Sequence, residues 1–102
     1  MAGIFSGKVL DQIARETGVP LREIVSSSRS YKVVRARQAA MYALAKKTEL
    51  SCKQIARAVG RTDHTTVLHG VRAHADREDI PTIDMWQRSS DIYRARAARW
   101  GA

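Results

Sequence analysis

Cysteine, proline and acidic residues are all scarce in this chain. Of its 102 residues one is cysteine, Cys52, so no disulfide closes within the chain, and a reducing compartment, the cytoplasm, is the expected location. The two prolines, Pro20 and Pro81, leave the whole interval between them free to be helical. No apolar run approaches the ~18 residues of a membrane span, and the first residues lack the pattern of a signal peptide, so no membrane partner is expected. Met1 opens the chain as a complete protein would begin. No internal repeat or low-complexity block is present. Neither a glycine-rich phosphate loop nor a pair of carboxylates suited to acid–base work stands out, so neither an enzyme nor a cofactor is expected.

The acids number 10 against 18 lysines and arginines, giving a net charge of +8 and a pI near 10.4. Such a balance suits a polyanion, either nucleic acid or an acidic membrane surface. Its distribution favours nucleic acid. From Ile24 to Arg61 the only acid is Glu49, while Arg29, Lys32, Arg35, Arg37, Lys46, Lys47, Lys53, Arg57 and Arg61 are basic. Aromatics that could stack on unpaired bases are few among them, Tyr31 and Tyr42 only, which argues for a duplex and against RNA.

The apolar pattern is helical throughout, and the length fits one domain with one modest core. "VLDQIARETG" sets Val9, Leu10 and Ile13 on one side, with Gly18 as its stop. "PLREIVS" starts a short second helix at Pro20, and Ser26, Ser27, Ser28 and Ser30 surround Arg29 in a flexible, exposed loop. The longest helix is expected from about Val33 to Lys47, with Val34, Met41, Leu44 and Ala45 toward the core. Ser51 and Gln54 form a capping-box pattern opening a helix through Val59, and Gly60 suits a left-handed cap. Asp63 caps the next helix, whose Val67, Leu68 and Val71 recur at helical spacing. After "DREDIP" a last helix is expected from about Thr82 to Arg99, with Ile83, Trp86, Ile92 and Tyr93 available for packing. The fold class is all-α: residues 1–78 as a DNA-binding core, residues 79–102 as a C-terminal helix packing on it or forming an interface.

Residues 52–71 meet most of a helix-turn-helix template. Apolar Ile55 is followed by small Ala56, and Val59 precedes Gly60, which supplies the positive φ of the turn. Val67 and Val71 arrive one residue late, implying a lengthened turn. Recognition helices read bases with their N-terminal residues. Here those are "DHTT": Asp63 accepts from a cytosine or adenine amino group, His64 donates to a purine acceptor, and the methyls of Thr65 and Thr66 rest on thymine methyls. A cap alone explains Asp63 but leaves the histidine and both threonines without a role.

The string "RARQAAMYALAKKTELSCKQIARAVGRTDHTTVLHGVR" closely resembles the carboxy-terminal DNA-binding domain (domain IV) of DnaA, the bacterial replication initiator. The likeness runs from about Val9 to Arg77 and is strongest over Arg35–Arg72. It implies a compact, Trp-repressor-like domain of about six helices that binds double-stranded DNA at DnaA-box-like sites, in replication initiation or transcription. It implies that Asp63, His64, Thr65 and Thr66 contact bases in the major groove and that Arg29 enters the adjacent minor groove. Arg37, Gln38, Thr48 and His69 match family positions that hold phosphates, and Lys53 and Arg61 are basic neighbours expected to do the same. Two departures stand out. The family usually has Gly-Arg before "DHTT", where this chain has Arg61-Thr62, and often Leu-Pro where it has Cys52-Lys53. The initiator's ATPase domain has no counterpart here.

Other chemistries fare worse. His64, His69 and His74 recur every five residues, roughly 140° apart around a helix, and so do not converge on a metal. Asp63, His64 and Thr65 are adjacent and cannot face one another as a triad. The competing reading is a small protein-interaction module with only non-specific nucleic-acid affinity. Met85, Trp86, Tyr93 and Trp100 would then form its docking face or a weak homodimer contact, with Trp100 the better candidate.

Overall fold

A computed structural model describes residues 2–85, with side chains from Ser6 onward. Five helices make up this part: α1 (Ala2–Thr17), α2 (Leu21–Ile24), α3 (Tyr31–Lys47), α4 (Cys52–Ala58) and α5 (His64–Glu78), with no strand among the described residues. The all-α expectation holds, with five helices among the described residues against about six expected for the whole domain.

Helix α3 is the central element, packed against each of the other four. Its alanines favour helix and let neighbours approach closely, and Lys46 and Lys47 complement the helix dipole in the last turn. It begins two residues earlier than the sequence suggests because the Ser30 hydroxyl accepts the Val33 N–H at 3.4 Å. That start sets the phase of the helix. Val33 is buried and Val34 only half-buried, reversing the expected order, while Ala40, Met41, Leu44 and Ala45 face inward. Against them lie Val9, Leu10 and Ile13 from α1, Ile24 from α2, Ile55 from α4, and Val67 and Val71 from α5. Each large aliphatic side chain so buried contributes about 1.5–3 kcal/mol before the entropy of ordering it. Gly70 brings α5 close to α3, for a Cβ there would overlap Met41 Sδ.

The chain leaves α5 through Asp79, which takes the left-handed conformation (φ 54°) while the Ile80 N–H bonds to the Ala75 carbonyl at 3.0 Å. Residues 80–85 are then non-helical, contrary to the helix expected from Thr82. Pro81 keeps Ile80 out of helical geometry, and its carbonyl accepts from the Tyr42 hydroxyl at 2.8 Å. The Cys52 thiol contacts the Met85 carbonyl at 3.7 Å, and the Met85 side chain is buried in the same core. The stretch is thus held at both ends against α3 and α4. The rest of the expected helix, with Trp86, Ile92, Tyr93 and Trp100, lies outside the described residues.

Candidate nucleic-acid interface

Helices α4 and α5 are joined by residues 59–63, longer than the usual three or four of about this motif. The capping box at Ser51 forms in both directions: Gln54 N–H to Ser51 Oγ at 3.2 Å, and Ser51 N–H to Gln54 Oε1 at 2.9 Å. At the other end of α4 the Arg61 N–H reaches the Ala56 carbonyl at 2.7 Å and the Gly60 N–H reaches that of Arg57 at 3.1 Å. This paired closure requires a left-handed residue, and Gly60 has φ 76°. Space demands glycine too, because a Cβ at this position would overlap the Val25 carbonyl. The turn therefore lies directly on the backbone that follows α2.

Asp63 then starts α5. Its Oδ1 accepts the Thr65 N–H at 2.9 Å, and that bond is the main reason its carboxyl sits below its ordinary value of 3.8. Asp63 and Thr65 are exposed, His64 is 44% exposed at its side chain, and Thr66 is half-buried. The four residues picked out by sequence thus occupy one open first turn. His64 Nδ1 stands 4.0 Å from Asp63 Oδ1, beyond hydrogen-bond distance.

Thr66 and exposed His69 continue from this turn into a shallow groove of about 290 Å³, whose opposite wall is α3 with Gln38 and Arg37 and whose end is Arg61. The structure therefore gathers Gln38, Arg61 and His69, three residues expected at phosphates, beside the recognition turn. Thr48 and Lys53 do not line this groove. Thr48 caps α3, its hydroxyl donating to the Leu44 carbonyl and accepting the Leu50 N–H at 3.2 Å, and Lys53 is exposed in the first turn of α4. Sequence reasoning missed Arg77, whose Nη2 donates to Gln38 Oε1 at 2.6 Å across the α3–α5 contact. With its oxygen held, Gln38 presents the two N–H donors of its amide. No local pattern links residues so far apart in sequence.

Arg29 is exposed, as expected, but its loop is ordered. Ser26 Oγ donates to the Glu23 carbonyl at 2.6 Å, and the Ser28 and Ser30 N–H groups bond to the hydroxyls of Ser26 and Ser28 at 3.1 and 3.3 Å. The serines replace backbone partners with side-chain ones, which stiffens the run.

Arg37 departs most from expectation. It is not a surface cation at the start of a helix but lies in the middle of α3 and is 4% exposed. Its Nε donates to the Ile24 carbonyl at 2.7 Å, and its Nη2 to those of Ser26 and Ser28 at 2.8 and 3.1 Å, with Glu23 at 3.5 Å. Burial, then the nearby positive charge of Arg61, lowers its pKa from the ordinary arginine value. The planar guanidinium fork thus gathers carbonyls from the end of α2 and from the loop, that of Glu23 being shared with Ser26. Among the described residues no three His, Cys, Asp or Glu side chains come together as a metal-binding group, and no helix is long and apolar enough to cross a membrane.

The family model described as the bacterial DnaA protein helix-turn-helix matches residues 7–73, spanning every element described above from α1 into α5. Chromosomal replication initiator proteins DnaA of Rhodopseudomonas palustris (strain TIE-1), Bradyrhizobium sp. (strain BTAi1) and Nitrobacter hamburgensis are each 47% identical to it over 60 residues. That alignment covers 59% of this chain but 13% of each relative, so the chain corresponds to a small part of those proteins. No solved structure matches it. The open first turn of α5, the glycine-closed turn before it and the family match agree: the chain belongs to the bacterial DnaA helix-turn-helix family of DNA-binding domains.

Proposed function

We propose that this protein is a sequence-specific binder of double-stranded DNA at DnaA-box-like sites, without ATPase activity, acting in the cytoplasm on replication initiation or transcription. The observation that carries this reading is the continuity of one surface, from the open Asp63–Thr66 turn through Thr66 and His69 to Gln38 and Arg61. Asp63, His64, Thr65 and Thr66 enter the major groove, where the first residues of a recognition helix lie deepest. Asp63 keeps one carboxylate oxygen for a base amino group while the other caps the helix. Gln38, Arg61 and His69 meet the flanking phosphates, Gln38 through the amide N–H groups that Arg77 turns outward. Lys53 and the backbone around Thr48 reach phosphates on the α4 side. Arg29 enters the neighbouring minor groove, where A·T-rich sequence narrows the groove and concentrates negative potential.

The test is fluorescence anisotropy on a box-containing duplex and a scrambled one across a series of salt concentrations. Box preference together with a steep salt dependence, about −0.9 in the log–log slope per phosphate met, is expected. Equal affinity for both duplexes would reduce the protein to a non-specific polyanion binder.

A further inference from the structure

Two guanidinium groups converge beneath the serine loop from elements distant in sequence. Arg37, on α3, contacts the carbonyls of Glu23, Ile24, Ser26 and Ser28. Arg61, in the turn before α5, donates to the same Ser26 carbonyl at 3.2 Å. We propose that Arg37 and Arg61 are positioning residues that clamp residues 25–30 in one conformation, so that Arg29 and the first turn of α5 meet DNA as one rigid unit. The proposal rests on the minor-groove reading of Arg29 given above.

Three observations carry it. First, the clamp bonds the carbonyls of Ser26 and of Ser28, the residue before Arg29, while Arg29 itself stays exposed. Two carbonyls of the loop are thus bonded by the arginines, and its one long side chain is exposed. Second, the cations share the Ser26 carbonyl, and among the described residues no carboxylate is bonded to either one. Burying an arginine without an acid costs stability unless its donors are matched, and a planar five-donor fork matches several carbonyls where a lysine cannot. Third, Arg61 is fixed at both ends: its own N–H closes α4 on Ala56, and its side chain holds the loop. With Gly60 seated against the Val25 carbonyl, displacing the turn displaces the loop. A loop held in this way has little left to lose in entropy when it binds.

The experiment compares the unmodified protein with Arg29→Ala, Arg37→Lys and the double variant. Arg37→Lys keeps the charge and removes the fork. In the DNA-free protein, amide hydrogen exchange should accelerate by about tenfold or more across residues 25–30 in Arg37→Lys, with the amides of α5 unchanged. On duplexes sharing one box, the preference for an A·T-rich over a G·C-rich flank should fall to the level of Arg29→Ala, and the double variant should lose nothing further. The salt slope should stay at its unmodified value, because no cation has been removed. Retained flank preference and slow loop exchange in Arg37→Lys would overturn the clamp and leave Arg37 as a simple charge. Additive losses in the double variant would overturn it equally. If the unmodified protein shows no flank preference, the minor-groove reading of Arg29 fails, and the exchange measurement still decides whether the clamp holds the loop. Where Arg37→Lys does not fold by circular dichroism, Arg61→Gln at its half-buried site takes its place, with about threefold faster loop exchange expected for one lost bond.

Discussion

The loop of residues 25–30 and the first turn of α5 both carry exposed side chains, yet they are made rigid in opposite ways. The turn is self-sufficient. Asp63 caps through a residue two positions on, and Gly60 and Arg61 close α4 on residues three and five positions back. The loop is not. Its serine bonds are short-range, but the groups that anchor it come from Arg37, nine and eleven residues away, and Arg61, 35 away. The turn's closure thus lies within its own helices, whereas the loop adds to its serine bonds donors from α3 and the α4–α5 turn. In the proposed function, the base-reading groups sit on the locally closed element and the minor-groove arginine on the one anchored from afar.

The most damaging way to break this arrangement is at the point the two regions share. Gly60→Ala places a side chain at φ 76° and drives it into the Val25 carbonyl, so both the turn and the loop must shift. A loss of about 3 kcal/mol or more in unfolding free energy is expected by urea denaturation, well above the strain of a left-handed alanine alone. A loss near 1 kcal/mol would mean that the turn can lift off the loop without disturbing either.

Next in size are changes that separate base reading from backbone holding. His64→Ala and Thr66→Ala should each cost about 1–3 kcal/mol of binding on a box duplex and little on a scrambled one. Gln38→Glu should do the reverse. The new carboxylate keeps its bond to Arg77 but faces the phosphates, and a charge repulsion of about 1 kcal/mol should weaken every duplex roughly fivefold. Competition titrations with both duplexes check the pair. If Gln38→Glu changed box preference, α3 would be reading sequence and not only holding the backbone.

The same contrast explains what could be read from the sequence. Ser51 with Gln54, Gly60 and Asp63 are local signals, each acting within a few residues, and the α4–α5 unit forms as they indicate. Val9, Leu10, Ile13, Val67 and Val71 follow helical spacing into the core. The failures come from partners far apart in sequence. A basic residue on a polar stretch of helix reads as solvated, and nothing near Arg37 announces that carbonyls of residues 23–28 will need its donors. Four serines around Arg29 hid which one caps α3, and that shifted the helix phase from Val34 to Val33. Beyond α5 the apolar spacing favours helix from Thr82, but Pro81 and the tethers to Tyr42 and Cys52 keep residues 80–85 non-helical.

The smallest expected effect sharpens the comparison through pH. Asp63 has a folded-state pKa below its ordinary 3.8, chiefly because its carboxylate accepts the Thr65 N–H. A depressed carboxyl contributes stability that is complete above the unfolded value and is lost as pH falls through the lowered folded one. Acidification below about pH 4 should therefore loosen the start of α5. The loop has no such dependence in its clamp: the Arg37 guanidinium is already protonated, although burial lowers its pKa, and has no proton to gain in acid. Amide exchange or chemical shifts followed down in pH should show Thr65 and Thr66 responding before Ser28 and Ser30. Asp63→Asn keeps an acceptor at the cap and should abolish that response while leaving the loop unchanged. If the loop amides moved together with Thr65, the two regions would open as one unit. The local closure of α5 would then depend on the loop as much as the loop depends on Arg37 and Arg61.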